Sequence, residues 1–191
     1  MDKDGYILES SISVTFAAME GNLFRTAIHY GSYSGLAVIL FNIVLYISNF
    51  SLFGASSVLG IWIPVVFLVM ATRFHRDHNL GGALQYKQGL SIGFMTTLFS
   101  VLLFGLLFYL FGTLVDNSLL DSYKVQASAS LEEGKSLLSD KMMDKAMESI
   151  DSMTMASLAF SEAFNKFIGG VIATLVISAI FNRKPPTIQH I

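Results

Sequence analysis

The chain has 191 residues, of which 53% are hydrophobic and only 14% charged, with a net charge of −2. Soluble domains carry about 25% charged residues, so much of this chain is suited to lipid rather than to a water-facing surface. The absence of cysteine excludes disulfides, thiolate metal centres and cysteine nucleophiles, and no concentrated basic patch points to nucleic acid.

Residues 1–24 are mixed. Ile7, Leu8, Ile12, Val14, Phe16 and Met19 stand among acids and hydroxyls. An interfacial helix and a disordered tail are both compatible with that pattern. The acidic start, MDKDGY, is unlike a secretory signal, and Glu9 breaks the apolar run behind it. The segment is expected to be retained.

Residues 26–47 form the first expected span, without a formal charge. Gly31 and Gly35 make a GxxxG pair, which lets two helix backbones approach closely where lipid supplies no hydrophobic drive. Packing inside the protein and a homodimer seam are the two readings of that face. A short turn follows at 48–57. Residues 58–72 are the second expected span, if extended back to Phe53. Pro64 lies inside it and is a candidate kink or hinge.

Residues 73–88 are basic and turn-like: Arg73, Arg76 and Lys87 against Asp77, with Gly81-Gly82 as the turn. Residues 89–111 are then 23 residues with no charge. At 1.5 Å per residue they reach roughly 35 Å, enough to cross a hydrocarbon core of about 30 Å. Gly89 and Gly93 repeat the GxxxG spacing.

Residues 112–166 hold nine acids against five lysines, a net of −4. Ser130 and Glu133 have capping-box spacing. Leu138, Met142, Ala146 and Ile150 then recur at helical intervals. This predicts a helical excursion, with an amphipathic helix at about 131–150 whose apolar face is a candidate partner surface. The third span is expected to continue outward into it. Residues 158–181 are the fourth expected span. Gly169, Gly170 and Ala173 give it a small-residue packing face, and Glu162 and Lys166, four apart, are expected near the lipid–water boundary.

Four spans place both termini on one side, with the 73–87 loop and the Arg183-Lys184 tail. The positive-inside rule puts that side in the cytoplasm and the excursion outside.

Candidate chemistry is sparse. Arg73, His75, Arg76, His78 and Lys87 could contact an anionic lipid or a phosphate. His75 and His78 lack the further ligands that a metal site needs. His29 and Asn42 are the polar groups of the first span. The methionines near 142–155 suit a soft-metal site or ordinary packing. No catalytic set is present, and neither a cofactor nor a metal is expected.

The run Gly81-Gly-x-Leu-x-Tyr-x-x-Gly-x-x-x-Gly93, the early YGSYSGLAVIL, the helical excursion and the closing FNRKPP together resemble an uncharacterised four-span bacterial membrane family found mostly in Bacteroidota, domain of unknown function 4199. The resemblance covers about residues 22–184. It implies an inner-membrane location and brings no activity and no functional residues.

The expected architecture is all-α: an integral membrane four-helix bundle with a helical excursion between the third and fourth spans. The parts are a tail at 1–24, three spans within 25–111, the excursion at 112–157, the fourth span at 158–182 and a cytoplasmic tail at 183–191. The expected role is a non-enzymatic subunit or scaffold that meets membrane lipid and either a second copy or another membrane protein. A small transporter or lipid-handling protein is the alternative.

Overall fold

The computed structural model describes residues 3–50, 52–53, 60–135 and 139–183, and these are helical apart from turns and one isolated bridge. Among the described residues six α-helices follow in order: α1 (Lys3–Ile47), α2 (Trp62–Phe74), α3 (Tyr86–Leu114), α4 (Leu119–Glu133), α5 (Asp140–Asp151) and α6 (Met155–Phe181). A π-helical turn, His75–Asn79, extends α2.

Among the described residues, three segments are long and apolar enough to cross a membrane: Asn22–Ile47 within α1, and all of α3 and α6. The chain therefore has the character of a multi-pass membrane protein. The 13 residues of α2 cover roughly 20 Å, short of a hydrocarbon core of about 30 Å. Part of the second expected span, residues 54–59, lies outside the described residues.

Glycines set the helix register. Gly31 lies against the Thr96 carbonyl and Gly35 against the Ser100 carbonyl, so α1 and α3 run parallel. Gly89 faces Ser178 and Gly93 faces Thr174, so α6 runs antiparallel to α3. α2 descends between them. Phe53 packs edge-on against Phe108 and Tyr123 near the far end of α3. Asn79 reaches back to Thr26 near the start of the apolar part of α1. Phe53 and Asn79 thus lie towards opposite ends of the bundle.

Local chemistry explains most helix ends. Asn49 adopts a left-handed conformation just past α1 (φ 56°), which Asn tolerates better than most residues. Gly81 and Gly82 both have positive φ in the turn before α3, where their lack of a Cβ removes the strain. Gln85 and Gln88 form a reciprocal cap on α3. Thr154 and Ser157 do the same for α6. Leu84 and Arg183 exchange two backbone hydrogen bonds, tying the end of α6 to the linker before α3.

Several features differ from the sequence reading. α1 runs unbroken through residues 24–25, because neither proline nor a turn pair stands there to stop it. Pro64 falls in the first turn of α2, where its missing N–H has no intrahelical partner to lose. α3 stops at Leu114 rather than running outward. The Asp116 carboxylate accepts hydrogen bonds from the Ser118 N–H and hydroxyl, which fixes a turn before α4. Ser130 and Glu133 close α4 instead of opening a helix: the Gly134 N–H bonds to the Ser130 carbonyl. The expected single helix at 131–150 is therefore divided, and α5 starts only at Asp140.

The apolar core has two parts. The larger joins Val38, Ile39, Phe104, Phe108, Leu119 and Leu158, with Phe53 and Ile63 beside them. The smaller joins Ala27, Ala71 and Ile92 at the other end of the bundle.

Candidate functional site

Two regions collect polar groups in this mostly apolar protein. The first is a cavity of about 450 Å³ between α1, α2, α3 and α6. That volume lies within the range of small-molecule sites, roughly 300–1,000 Å³. Its polar wall comes from Ser34 and Asn42 on α1 and Thr96, Thr97 and Ser100 on α3. Every one of these residues is buried. The hydroxyl spacing on α3 follows from helical periodicity: positions 96 and 100 share a face one turn apart. They face α1 because Gly31 and Gly35 let that helix come close.

The Ser100 hydroxyl donates to Ser34 Oγ at 2.8 Å, an interhelical hydrogen bond. Asn42 donates to its own helix, to the Val38 carbonyl at 2.9 Å. Thr96 lines the cavity with its hydroxyl buried and without a hydrogen-bond partner. On α6, Lys166 Nζ pairs with Glu162 Oε2 at 3.1 Å and stands 4.6 Å over the Phe104 ring. Phe104 is ten residues from the end of α3, so the ion pair faces the bundle well inside both helices. Both charged residues also line the cavity.

The second region is the basic end. His75 is 3% exposed, and burial pushes its pKa below the ordinary histidine value. Its Nδ1 lies 2.9 Å from the Asn79 amide. Arg76 pairs with Asp77 at 2.6 Å and also sits 5.3 Å over the Phe181 ring. The hydrogen bond from Arg76 holds the Asp77 carboxyl below its usual range, with the nearby cations adding to the effect. The His78 ring stacks on Phe74. Arg73 and Lys87 are exposed. Of the five residues expected to meet a phosphate, His75 is turned into the bundle, Arg76 and His78 are engaged with neighbours, and Arg73 and Lys87 stand at the surface.

The expected packing residues divide in the same way. Gly31, Gly35, Gly89, Gly93 and Gly170 all touch a neighbouring helix, whereas Gly169 has open space where a Cβ would point. Gly169 and Ala173 line the cavity. The GxxxG face of α1 is filled by α3 within one chain, which leaves none of it for a homodimer seam. On the expected partner surface, Met142 is exposed while Ala146 and Ile150 are partly covered; Leu138 lies outside the described residues. Met153 and Met155 pack against the apolar core. Among the described residues, no group of three His, Cys, Asp or Glu side chains is placed to hold a metal. His29 is exposed and meets Tyr33 edge-on.

A family model described as a protein of unknown function, DUF4199, matches residues 29–183. The chain belongs to that family. The match takes in the apolar part of α1 from His29 onward, the basic linker, the cavity and the whole of α6. Neither the curated proteins nor the solved structures gave a match. The family assignment carries no activity, so function has to be argued from the geometry.

The sequence reading missed the cavity. Its signal was present: Thr96, Thr97 and Ser100 form a hydroxyl cluster in the centre of an otherwise apolar helix. The glycines opposite were noted, but their effect of bringing those hydroxyls against α1 depends on helix register.

Proposed function

We propose that this member of the DUF4199 family is a non-catalytic subunit or scaffold of the bacterial inner membrane, with four crossings and both termini cytoplasmic. The helix pair α4–α5 is presented on the far side, to another membrane protein or to a second copy. One observation carries the reading: α5 is amphipathic, yet none of its residues is buried. Met142 is exposed, and Ala146 and Ile150 on the same helix are only partly covered, which suits a contact made outside the chain. The placement of Phe53 and Asn79 towards opposite ends of the bundle supports the fourth crossing, and the surplus of Arg and Lys at the linker supports the orientation.

The pair is held in place rather than trailing. Lys124 Nζ donates to the Asp151 carbonyl at 2.7 Å, linking α4 to the end of α5. Gln126 donates to the Phe53 carbonyl at 3.3 Å, linking α4 to the bundle. A photo-crosslinking residue at position 142, introduced in living cells, tests the reading. The expected result is one discrete crosslinked species that disappears with Ile150→Glu, while the bundle's melting temperature in detergent is unchanged. Crosslinking only to lipid, or a pattern indifferent to Ile150→Glu, refutes it.

A second reading, lipid handling, is favoured by the cavity. In that reading Arg73 and Lys87 meet headgroups at the basic end.

A further inference from the structure

We infer that the cavity between α1, α2, α3 and α6 binds an uncharged amphiphile, whose hydroxyl or carbonyl head is held by the α1–α3 wall and whose apolar tail leaves between α2 and α6. The inference is independent of the scaffold reading and rests on the lipid-handling reading, for which it names the ligand class and the place.

The first argument is the orphan hydroxyl. Thr96 is 2% exposed and lines the cavity, and its Oγ1 has no hydrogen-bond partner. A threonine within a helix usually satisfies its hydroxyl on the carbonyl four residues back, as Thr26, Thr72 and Thr174 all do here. Thr96 departs from that habit on the face of α3 that lines the cavity with Thr97 and Ser100. An unsatisfied buried hydroxyl is unfavourable, and a ligand carbonyl or hydroxyl removes that cost. Ser34 offers a second anchor, because the hydroxyl that accepts from Ser100 still has its own proton to donate.

The second argument is charge. Glu162 and Lys166 already neutralise each other, and Lys166 is further engaged by Phe104. Among the described residues, the lining carries no other charged side chain. An ion entering this wall would lose its hydration without gaining an unpaired counter-charge, which is unfavourable. An uncharged head avoids that loss.

The third argument is the shape of the lining. Ile61, Val65 and Ile172 line the cavity and are exposed on the outside of the bundle. They connect the polar wall to the surface that faces lipid. Gly169, also in the lining, leaves its Cβ direction empty. A buried polar inner wall with an exit bordered by Ile61, Val65 and Ile172 suits an amphiphile better than a water-soluble solute.

The test uses the full chain in nanodiscs and a monoacylglycerol that carries a diazirine on its acyl chain, with the matching diazirine fatty acid as the anionic comparison. Labelled peptides are mapped by mass spectrometry. The expected result is labelling by the neutral probe at the α2 and α6 residues of the exit, competed by unlabelled monoacylglycerol and not by fatty acid. Gly169→Phe fills the cavity from an unobstructed position and is expected to lower labelling at least about tenfold. Thr96→Val is expected to weaken competition about fivefold, the equivalent of one hydrogen bond, and Thr96→Ser to restore it. Melting temperatures of the three variants separate a lost site from a lost fold. Uniform labelling of lipid-facing helix surfaces, unchanged by Gly169→Phe in a folded variant, overturns the inference. Capture of the fatty acid near Arg73 and Lys87 with no labelling at the exit also overturns it, while leaving lipid handling intact at the basic end.

Discussion

The two sides of α3 are packed by opposite rules. Towards α1 and along most of α6 it makes contacts in which only glycine fits. A Cβ on Gly31 would stand 2.6 Å from the Thr96 carbonyl oxygen, and one on Gly35 would stand 2.7 Å from that of Ser100. Towards α2 and the middle of α6 the helices stand apart and leave the cavity. In lipid no hydrophobic effect draws helices together, so association depends on close packing and on hydrogen bonds between them. Where small residues and hydroxyls match, as at Gly31, Gly35, Ser34 and Ser100, the backbones meet. Where Pro64, Val65 and Leu68 of α2 face Gly169 and Ala173 of α6, the surfaces leave space. Gly169 and Gly170 are adjacent in sequence and fall on different sides of this division: Gly170 is blocked by Thr97 and Gly169 is open.

The largest expected effect breaks the tight side. Gly31→Leu forces a side chain against the α3 backbone, which cannot move aside as a flexible side chain could. Overpacking of this kind costs roughly 3 kcal/mol. Unfolding in mixed SDS micelles should show that loss, or failure to assemble. A variant as stable as the parent would mean that α1 and α3 are not in backbone contact.

A middling effect tests the hydrogen bond that spans the tight side and the cavity wall. Ser100→Ala removes the donor to Ser34, with an expected loss of about 1 kcal/mol. The double variant with Ser34→Ala should cost less than the sum of the two single changes. Strict additivity would show that the two hydroxyls do not interact.

The smallest effect has the opposite sign. Gly169→Ala puts a methyl group where nothing stands within 4 Å and replaces the poorest ordinary helix former by the best one. The expected gain is up to about 1 kcal/mol, read from the same SDS titration. A loss comparable to that of Gly31→Leu would close the gap between the two sides and remove the cavity from consideration.

Composition and hydropathy made part of this protein legible in advance. The 14% charge content and the long uncharged runs in α1, α3 and α6 dictate helices in lipid, because an isolated apolar segment there must satisfy its backbone within itself. The Gly81-Gly82 turn was legible for the same kind of local reason. Breaks within the polar region were read less well. The Ser130–Glu133 spacing fits a helix start, yet Gly134 directly after it ends the helix; local motifs compete, and the glycine prevailed. The Asp116-Asn117-Ser118 run is a local turn signal of the same kind, and it follows directly on the end of α3.

The sequence by itself determined that the chain is all-helical, rich in lipid-suited segments and able to bring helices together at glycines. Only the tertiary structure decided which helix each glycine meets. Sequence spacing defines a face, but the partner of that face depends on register between segments more than sixty residues apart, as between Ser34 and Ser100. The same register turned Glu162 and Lys166 towards Phe104 and the cavity. It also left Thr96 buried beside open space, without a partner.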